Sequence, residues 1–314
     1  MIVSRDYKDL FPILRQNTDE PLRYFDSAAT CLTPQSVADA VHHFQCFGHA
    51  NSGRGLYKLS ANASEVLENT RRKTLGFLGA NESSASEKII FTSCATHSIH
   101  LAAFGYLVPL IKKRQLSSPT FHFNIVISVA EHHANFTVWQ QICEEFYGEL
   151  RVAEICPSGI IDVEHLAGLV DDETIFVSVC HVSNVLGIKN DIKKIAPIAH
   201  RVDAKILVDG AQAVGHFPIE IYDLDCDFYA FSSHKMYGTF GCGVLYLKEA
   251  LITDMSPVIY GGGIVNKVME QFTTFLKGAE KLEPGSLNLA GITGLRAAID
   301  FIDQVGWQTI EQHQ

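Results

Sequence analysis

Residues 174–209 read TIFVSVCHVSNVLGIKNDIKKIAPIAHRVDAKILVD, and their pattern decides the fold. A β-branched apolar run closes at a polar loop, a segment of helical period follows (DIKKIAPIAHRV, 191–202), and a second apolar run ends the stretch. Strands that are apolar throughout, rather than alternating, belong to a sheet covered on both faces. A helix between two such strands makes a crossover and therefore a parallel pair. The same signal extends outward. Upstream lie KIIF (88–91), FNIVISV (123–129) and LRVAEI (150–155), with the helical FTVWQQICEEF (136–146) between the last two. Downstream lie DFYAFSS (227–233) and GVLYLK (243–248). The expectation is an α/β fold of three layers, α/β/α, with a mostly parallel sheet. The short link before GVLYLK predicts an antiparallel edge.

Composition agrees with a folded, water-soluble chain. Of 314 residues 47% are hydrophobic and 19% charged, and the formal charge of −10 is spread without a run of Lys or Arg. Such a surface offers nothing to nucleic acid. The N-terminus lacks an apolar h-region and the apolar runs are strand-sized, so neither a leader nor a membrane span is expected and the reading is cytoplasmic. The eight cysteines (31, 46, 94, 143, 156, 180, 226 and 242) form no C-x-x-C pair, which argues against a zinc knuckle or a disulfide framework and for mostly buried thiols. The histidine pairs at 42–43 and 132–133 are adjacent and share no face, so no metal site is read from them. Outside the strand region, ASEVLENTRRKTLGFLG (63–79) has an amphipathic pattern with Val66, Leu67, Leu75 and Leu78 apolar. Ile292, Leu295, Ile299 and Ile302 recur at helical spacing up to Gly306.

In parallel α/β sheets ligands bind beyond the carboxyl ends of strands, so the polar residues closing each apolar run are the candidates. Four such places stand out: Glu131, His132 and His133; His181, Ser183 and Asn184; Asp209 with Gln212; and Ser232, His234 and Lys235. Taken singly, Asp209 reads equally as a helix cap, Lys235 as a solvated loop lysine and His132 as an interior histidine. Together they supply what pyridoxal 5'-phosphate requires: a lysine to hold the aldehyde as an imine, a carboxylate to keep the ring nitrogen protonated, and donors for the phosphate. Lys235, Asp209 and the pair Ser232 and His234 fill those roles in turn. His132 would lie flat on the ring, and Gln212 or Asn184 would reach its phenolic oxygen. Ala95 and Thr96 open a helix in FTSCATHSIHLAA (91–103), whose free N–H groups suit an anion.

The motifs YFDSAAT (24–30), AEHHAN, HVSNVLG, LVDGAQAVGH, DCDFYAFSSHKMYG and LEPGSLN (282–288) stand in the order of a known family. The chain resembles the class V branch of fold-type I pyridoxal-phosphate enzymes, specifically the cysteine desulfurase and selenocysteine lyase group. The resemblance implies that Lys235 forms the imine, that His132 stacks on the ring, and that Asp209 pairs with the pyridinium. It also implies that Ala95, Thr96, Ser232 and His234 hold phosphate, while Ala28 and Arg54 face the substrate. It implies a homodimer, in which Ser286 stands where the family carries a threonine that reaches the partner's phosphate. A sulfur-acceptor protein would be a further partner.

Three departures accompany it. Gly53 replaces an imidazole in NSGRGLY (51–57), CATH (94–97) replaces the family's GTTE, and the chain ends at Gln314. The family's nucleophilic cysteine and carboxylate-binding arginine lie in a C-terminal small domain beyond that point. The expected organisation is an N-terminal segment (1–22), a large cofactor domain (23–290) and a linking helix that starts a truncated small domain (291–314). The implied activity is desulfuration of L-cysteine, impaired by the missing groups. Another class V lyase, epimerase or aminotransferase, or a non-catalytic cofactor-binding homologue, stays open.

Overall fold

The structure is a computed structural model and describes residues 7–15, 20, 22–53, 55–80 and 88–313. At its centre lie strands β1 (Ile89–Thr92), β2 (Asn124–Ser128), β3 (Glu149–Ala153), β4 (Thr174–Cys180), β5 (Lys205–Asp209), β6 (Phe228–Ser232) and β7 (Gly243–Leu247). They form one sheet in the order β1-β7-β6-β5-β4-β2-β3. Each apolar run singled out above is one of these strands. The stretch 174–209 folds as β4, the helix Ile192–His200 and β5, paired in parallel from Phe176 opposite Lys205 to Cys180 opposite Asp209.

β7 runs antiparallel to both neighbours, β1 and β6, so it is an interior strand and not the expected edge. The short link after β6 can only return the chain antiparallel beside it. β1, buried along its whole length, then covers the row of backbone groups that β7 would otherwise expose.

Side chains on successive residues of a strand point to opposite faces. Ile206 and Val208 accordingly join one core with Leu75, Ile195, Leu295 and Ile299, while Leu207 joins a second with Ile99, Ile111, Trp139 and Ile142. The helices Lys58–Phe77, Ile192–His200 and Leu289–Val305 supply the first cover, and Ala95–Ala102, Val108–Ser117 and Thr137–Phe146 the second. All four expected apolar positions of the Leu289–Val305 helix are buried, and the helix stops at Gly306, whose φ of +84° lies in the left-handed region.

The Lys58–Phe77 helix starts earlier than its pattern suggested, and it buries Leu75 but only half-buries Val66 and Leu67. Its inner face carries Arg71, which forks onto Glu283 through bonds of 2.9 and 2.8 Å and also donates to the Ile89 carbonyl. Glu283 in turn accepts the Phe91 N–H at 2.7 Å. Burial alone would lower the guanidinium pKa, but the Glu283 carboxylate raises it further and keeps it charged. The expectation of mostly buried cysteines holds for four, Cys143, Cys180, Cys226 and Cys242, whereas Cys46 is exposed. Among the described residues no helix is long and apolar enough to cross a membrane.

Candidate functional site

β2, β4, β5 and β6 run the same way, so their carboxyl ends share one rim. There a cavity of about 560 Å3 is lined by Ala28, Ala95, Thr96, His132, Asn184, Asp209, Gln212, Ser232, His234 and Lys235. Two expected residues are not among them. Ser286 lines a separate pocket with Phe44, Asn51 and Asn288, and Arg54 lies outside the described residues.

Lys235 is held by its backbone. β6 passes into a single 3-10 turn, Ser233–Lys235, and Tyr237 then takes φ +68°, a left-handed conformation rare for a residue with a side chain. Such a conformation costs about 1–3 kcal/mol and survives where surroundings enforce it. The enforcement comes partly from behind: Cys31 N and Thr30 Oγ1 donate to the His234 carbonyl at 2.9 and 3.2 Å, and Cys31 Sγ donates to the Lys235 carbonyl at 3.1 Å. Gly238 is needed for space rather than for φ, because a Cβ there would collide with the Ser233 hydroxyl. The lysine side chain is left as the movable part, on the cavity side.

Asp209 closes β5 at 6% exposure, and its Oδ1 accepts the Ala211 N–H at 3.0 Å. Burial raises its carboxyl pKa, opposed by that N–H, by the Lys235 charge and by the nearby His132 ring. A turn rather than a helix follows it, so Asp209 caps only that turn while its carboxylate lines the cavity. His132 accepts the Ala134 N–H on Nδ1 at 3.1 Å, which places the proton of the neutral ring on Nε2. Burial, and then the Lys235 charge, push its imidazole pKa down, so the cavity sees an uncharged aromatic face. Gln212 Nε2 donates to the Ala28 carbonyl at 2.7 Å and so ties the 26–29 segment to the cavity wall.

The far end of the cavity suits an anion. The helix Ala95–Ala102 points its free N–H groups there. Ser232 Oγ accepts the Ala95 N–H at 2.7 Å and keeps its own proton to donate, beside the Thr96 hydroxyl. His234 stacks on Phe240 at 4.8 Å, and its Nδ1 is buried without a hydrogen-bond partner among the described residues. A buried polar atom without a partner, on a residue that shares the cavity with two hydroxyls and a helix N-terminus, is one that a phosphate ester would satisfy. Only glycine fits at 243, where a Cβ would stand 2.5 Å from the Cys94 carbonyl carbon, and this lets β7 start hard against the Cys94–Thr96 turn.

Two strand-end histidines, His133 and His181, do not line the cavity. His181 is 2% exposed and exchanges a hydrogen bond of 3.0 Å with the Tyr229 hydroxyl, and burial lowers its pKa to about 4. Sequence reasoning noted Glu131 as a polar strand end but gave it no role, and it missed Asn135, Trp139 and Ser178 behind it. The i, i+4 and i+8 spacing of Glu131, Asn135 and Trp139 gives no reliable signal, because the segment is a loop and a 3-10 turn before the helix begins at Thr137.

Residues 23–314 match the family described as Aminotransferase class-V. A cysteine desulfurase of Salmonella newport (strain SL254) is 41% identical over 306 residues, covering 97% of this chain and 73% of that protein. Among solved structures, the apo cysteine desulfurase of Thermococcus onnurineus NA1 superposes with a TM-score of 0.87 at 29% identity, over 99% of this chain and 74% of the other. The cysteine desulfurase CsdA of Escherichia coli, in an S-sulfonic acid form, gives 0.82 at 31% identity, over 96% and 72%. The mixed, mostly parallel sheet is thus the one these enzymes share, and the chain belongs to the class-V aminotransferase family.

Proposed function

We propose that this chain is a pyridoxal-phosphate enzyme of the cysteine desulfurase kind, acting on L-cysteine. The observation that carries the reading is one cavity bringing together Lys235, the buried carboxylate of Asp209, the uncharged face of His132 and an anion-binding end at Ala95, Thr96, Ser232 and His234. The names of the relatives support the substrate. When bound, pyridoxal phosphate supplies an electron sink for the bonds at the α-carbon of an amino acid.

The residues divide the remaining work. Asp209, destabilised as an anion by burial, gains most from a cationic ring nitrogen beside it. His132 would pack against the ring and shield it from water. Lys235, which lines the cavity, would hold the aldehyde and would carry a proton to or from the substrate's α-carbon. Asn184 and Gln212 would serve the phenolic oxygen, Ala28 would face the substrate, and the family likeness assigns Arg54 to the substrate as well. Ser286, in its separate pocket, is assigned to the phosphate of a second copy in a homodimer. The overall change is L-cysteine plus a thiol giving L-alanine plus a persulfide, with the thiol supplied by an acceptor protein.

Purified protein incubated with pyridoxal phosphate is expected to gain a visible absorption band, absent in Lys235→Ala and abolished by borohydride. With L-cysteine and a thiol reductant it should release sulfide and alanine in equal amounts. A protein that stays colourless overturns the cofactor assignment. A coloured protein that turns over other amino acids but not L-cysteine overturns the substrate.

A further inference from the structure

Behind His132 lies a polar hub that the roles above leave unused. Glu131 is 8% exposed, at the turn that follows β2. Its carboxylate gathers three donors: the Ser128 hydroxyl, the Cys180 N–H at the end of β4 (2.9 Å) and the Asn135 side-chain amide (2.6 Å). Asn135 is in turn oriented by Trp139 Nε1 at 3.0 Å and by the Ser178 hydroxyl at 2.6 Å, and its backbone N–H returns to the His132 carbonyl at 2.8 Å. The segment 131–135 carrying His132 is thereby fastened to β2, β4 and the Thr137–Phe146 helix through one carboxylate.

We propose that Glu131 is a positioning residue that holds His132 over the cofactor, and that it does so only as a carboxylate. The inference rests on the pyridoxal-phosphate reading. The chemistry is in the donor count. An ionised carboxylate accepts from all three partners. A protonated one must donate, and of the three only the Ser128 oxygen is able to accept, so the bonds to Cys180 and Asn135 weaken and the His132 turn loosens. Removing one charge-assisted bond of this kind amounts to about tenfold in an equilibrium constant.

The groups facing Glu131 push its titration into the working range. Burial raises its pKa to about 7, against the three donors, and Asp209 at the end of β5 adds a like charge. His132 and His133 follow it in the chain, Cys180 faces it from β4 with a thiol pushed far up by burial and by Glu131 itself, and Lys235 lies beyond His132. The sign follows directly: the organising form exists above about pH 7 and is lost as pH falls through it.

The test compares wild type with Glu131→Gln at about pH 6 and about pH 8, on either side of that midpoint. At the higher pH the variant should bind pyridoxal phosphate about tenfold more weakly than wild type, and at the lower pH the two should converge. Loss of affinity by the same factor at both pH values, or none at either, overturns the proposal. A second reading needs no cofactor and no variant. In wild-type apoprotein labelled with nitrogen-15 histidine, the His132 resonances should show the Nε2–H tautomer at high pH and sense a transition near pH 7, above the ring's own lowered midpoint. A flat profile there overturns the proposal even if the variant fails to fold. If wild type takes up no pyridoxal phosphate, the functional reading fails, while the histidine titration still judges Glu131.

Discussion

Two buried aspartates stand at opposite ends of neighbouring strands, and their surroundings differ in kind. Asp227, just before β6, works against its own burial by accepting from His200 Nε2 and from the Ile206 N–H, both at 2.9 Å, with Lys248 at 3.5 Å. Burial alone would raise its pKa, but these partners bring it below the usual value. Asp209, at the carboxyl end of β5, has one backbone donor, and its pKa is raised by burial. Both side chains are at most 6% exposed as residues. Among the described residues, Asp227 has a histidine, a backbone N–H and a lysine around it, whereas Asp209 has a single backbone donor. A buried charge without its full complement of partners destabilises the fold unless something else supplies them. That asymmetry marks which end of the sheet binds.

The sharpest way to break the comparison is to neutralise each aspartate without changing its shape. Asp209→Asn should lower the rate of L-cysteine turnover by about 100-fold or more, because the ring nitrogen loses its anion. The melting temperature of the cofactor-free protein should hold or rise, since Asn still accepts the Ala211 N–H and no longer buries a charge. Asp227→Asn should do the reverse, costing about 2 kcal/mol of stability as charge-assisted bonds to His200 and Ile206 weaken, with cofactor affinity unchanged. Equal loss of apoprotein stability in both variants would mean that the two sites are alike after all.

Acid titration separates the two by sign. Asp227 has a depressed folded-state pKa, so its contribution is full above the unfolded value of 3.8 and disappears as pH falls through the folded one. Asp209 has a raised folded-state pKa, so its penalty is absent below 3.8, grows as pH rises through the folded value and is full above it. In urea unfolding at neutral pH, Asp227→Asn should lie below wild type and Asp209→Asn at or above it. All three should converge in acid. Curves that stay parallel from neutral to acid pH would place neither effect in the carboxylates.

Much of this contrast is legible in the sequence, for a reason tied to range. The strands declare themselves by local composition, and Asp209 closes one apolar run while Ser232 and Lys235 close another, which makes them candidates. What local pattern cannot carry is the partner found far along the chain. Nothing in the local pattern marks Arg71 as buried, and its partner Glu283, 212 residues away, makes it a core residue. The Asn135 side chain needs Ser178, 43 residues on, before it can orient Glu131. The interior place of β7 depends on β1, whose pairing begins with Ile89 opposite Tyr246 and is set by a distant register. Ser286 was read from a motif, yet within one chain it sits in a pocket apart from Lys235, so its proposed role depends on a second copy.

The smallest predicted effect sharpens the comparison by control. Lys193 and Asp223 form an ion pair at 2.9 Å with both side chains more than half exposed, at 56% and 62%. By distance alone it matches the bond from His200 to Asp227. Water solvates these charges whether or not they meet, and holding two long side chains in one geometry opposes the small Coulomb gain, so such pairs contribute about 0.2–1 kcal/mol. Lys193→Ala should therefore shift unfolding by no more than about 0.5 kcal/mol, and less at high salt as screening sets in. If instead it destabilised the fold as much as Asp227→Asn, burial would not be what distinguishes a structural charge from a decorative one. The contrast between Asp227 and Asp209 would then need a cause other than the partners each has been given.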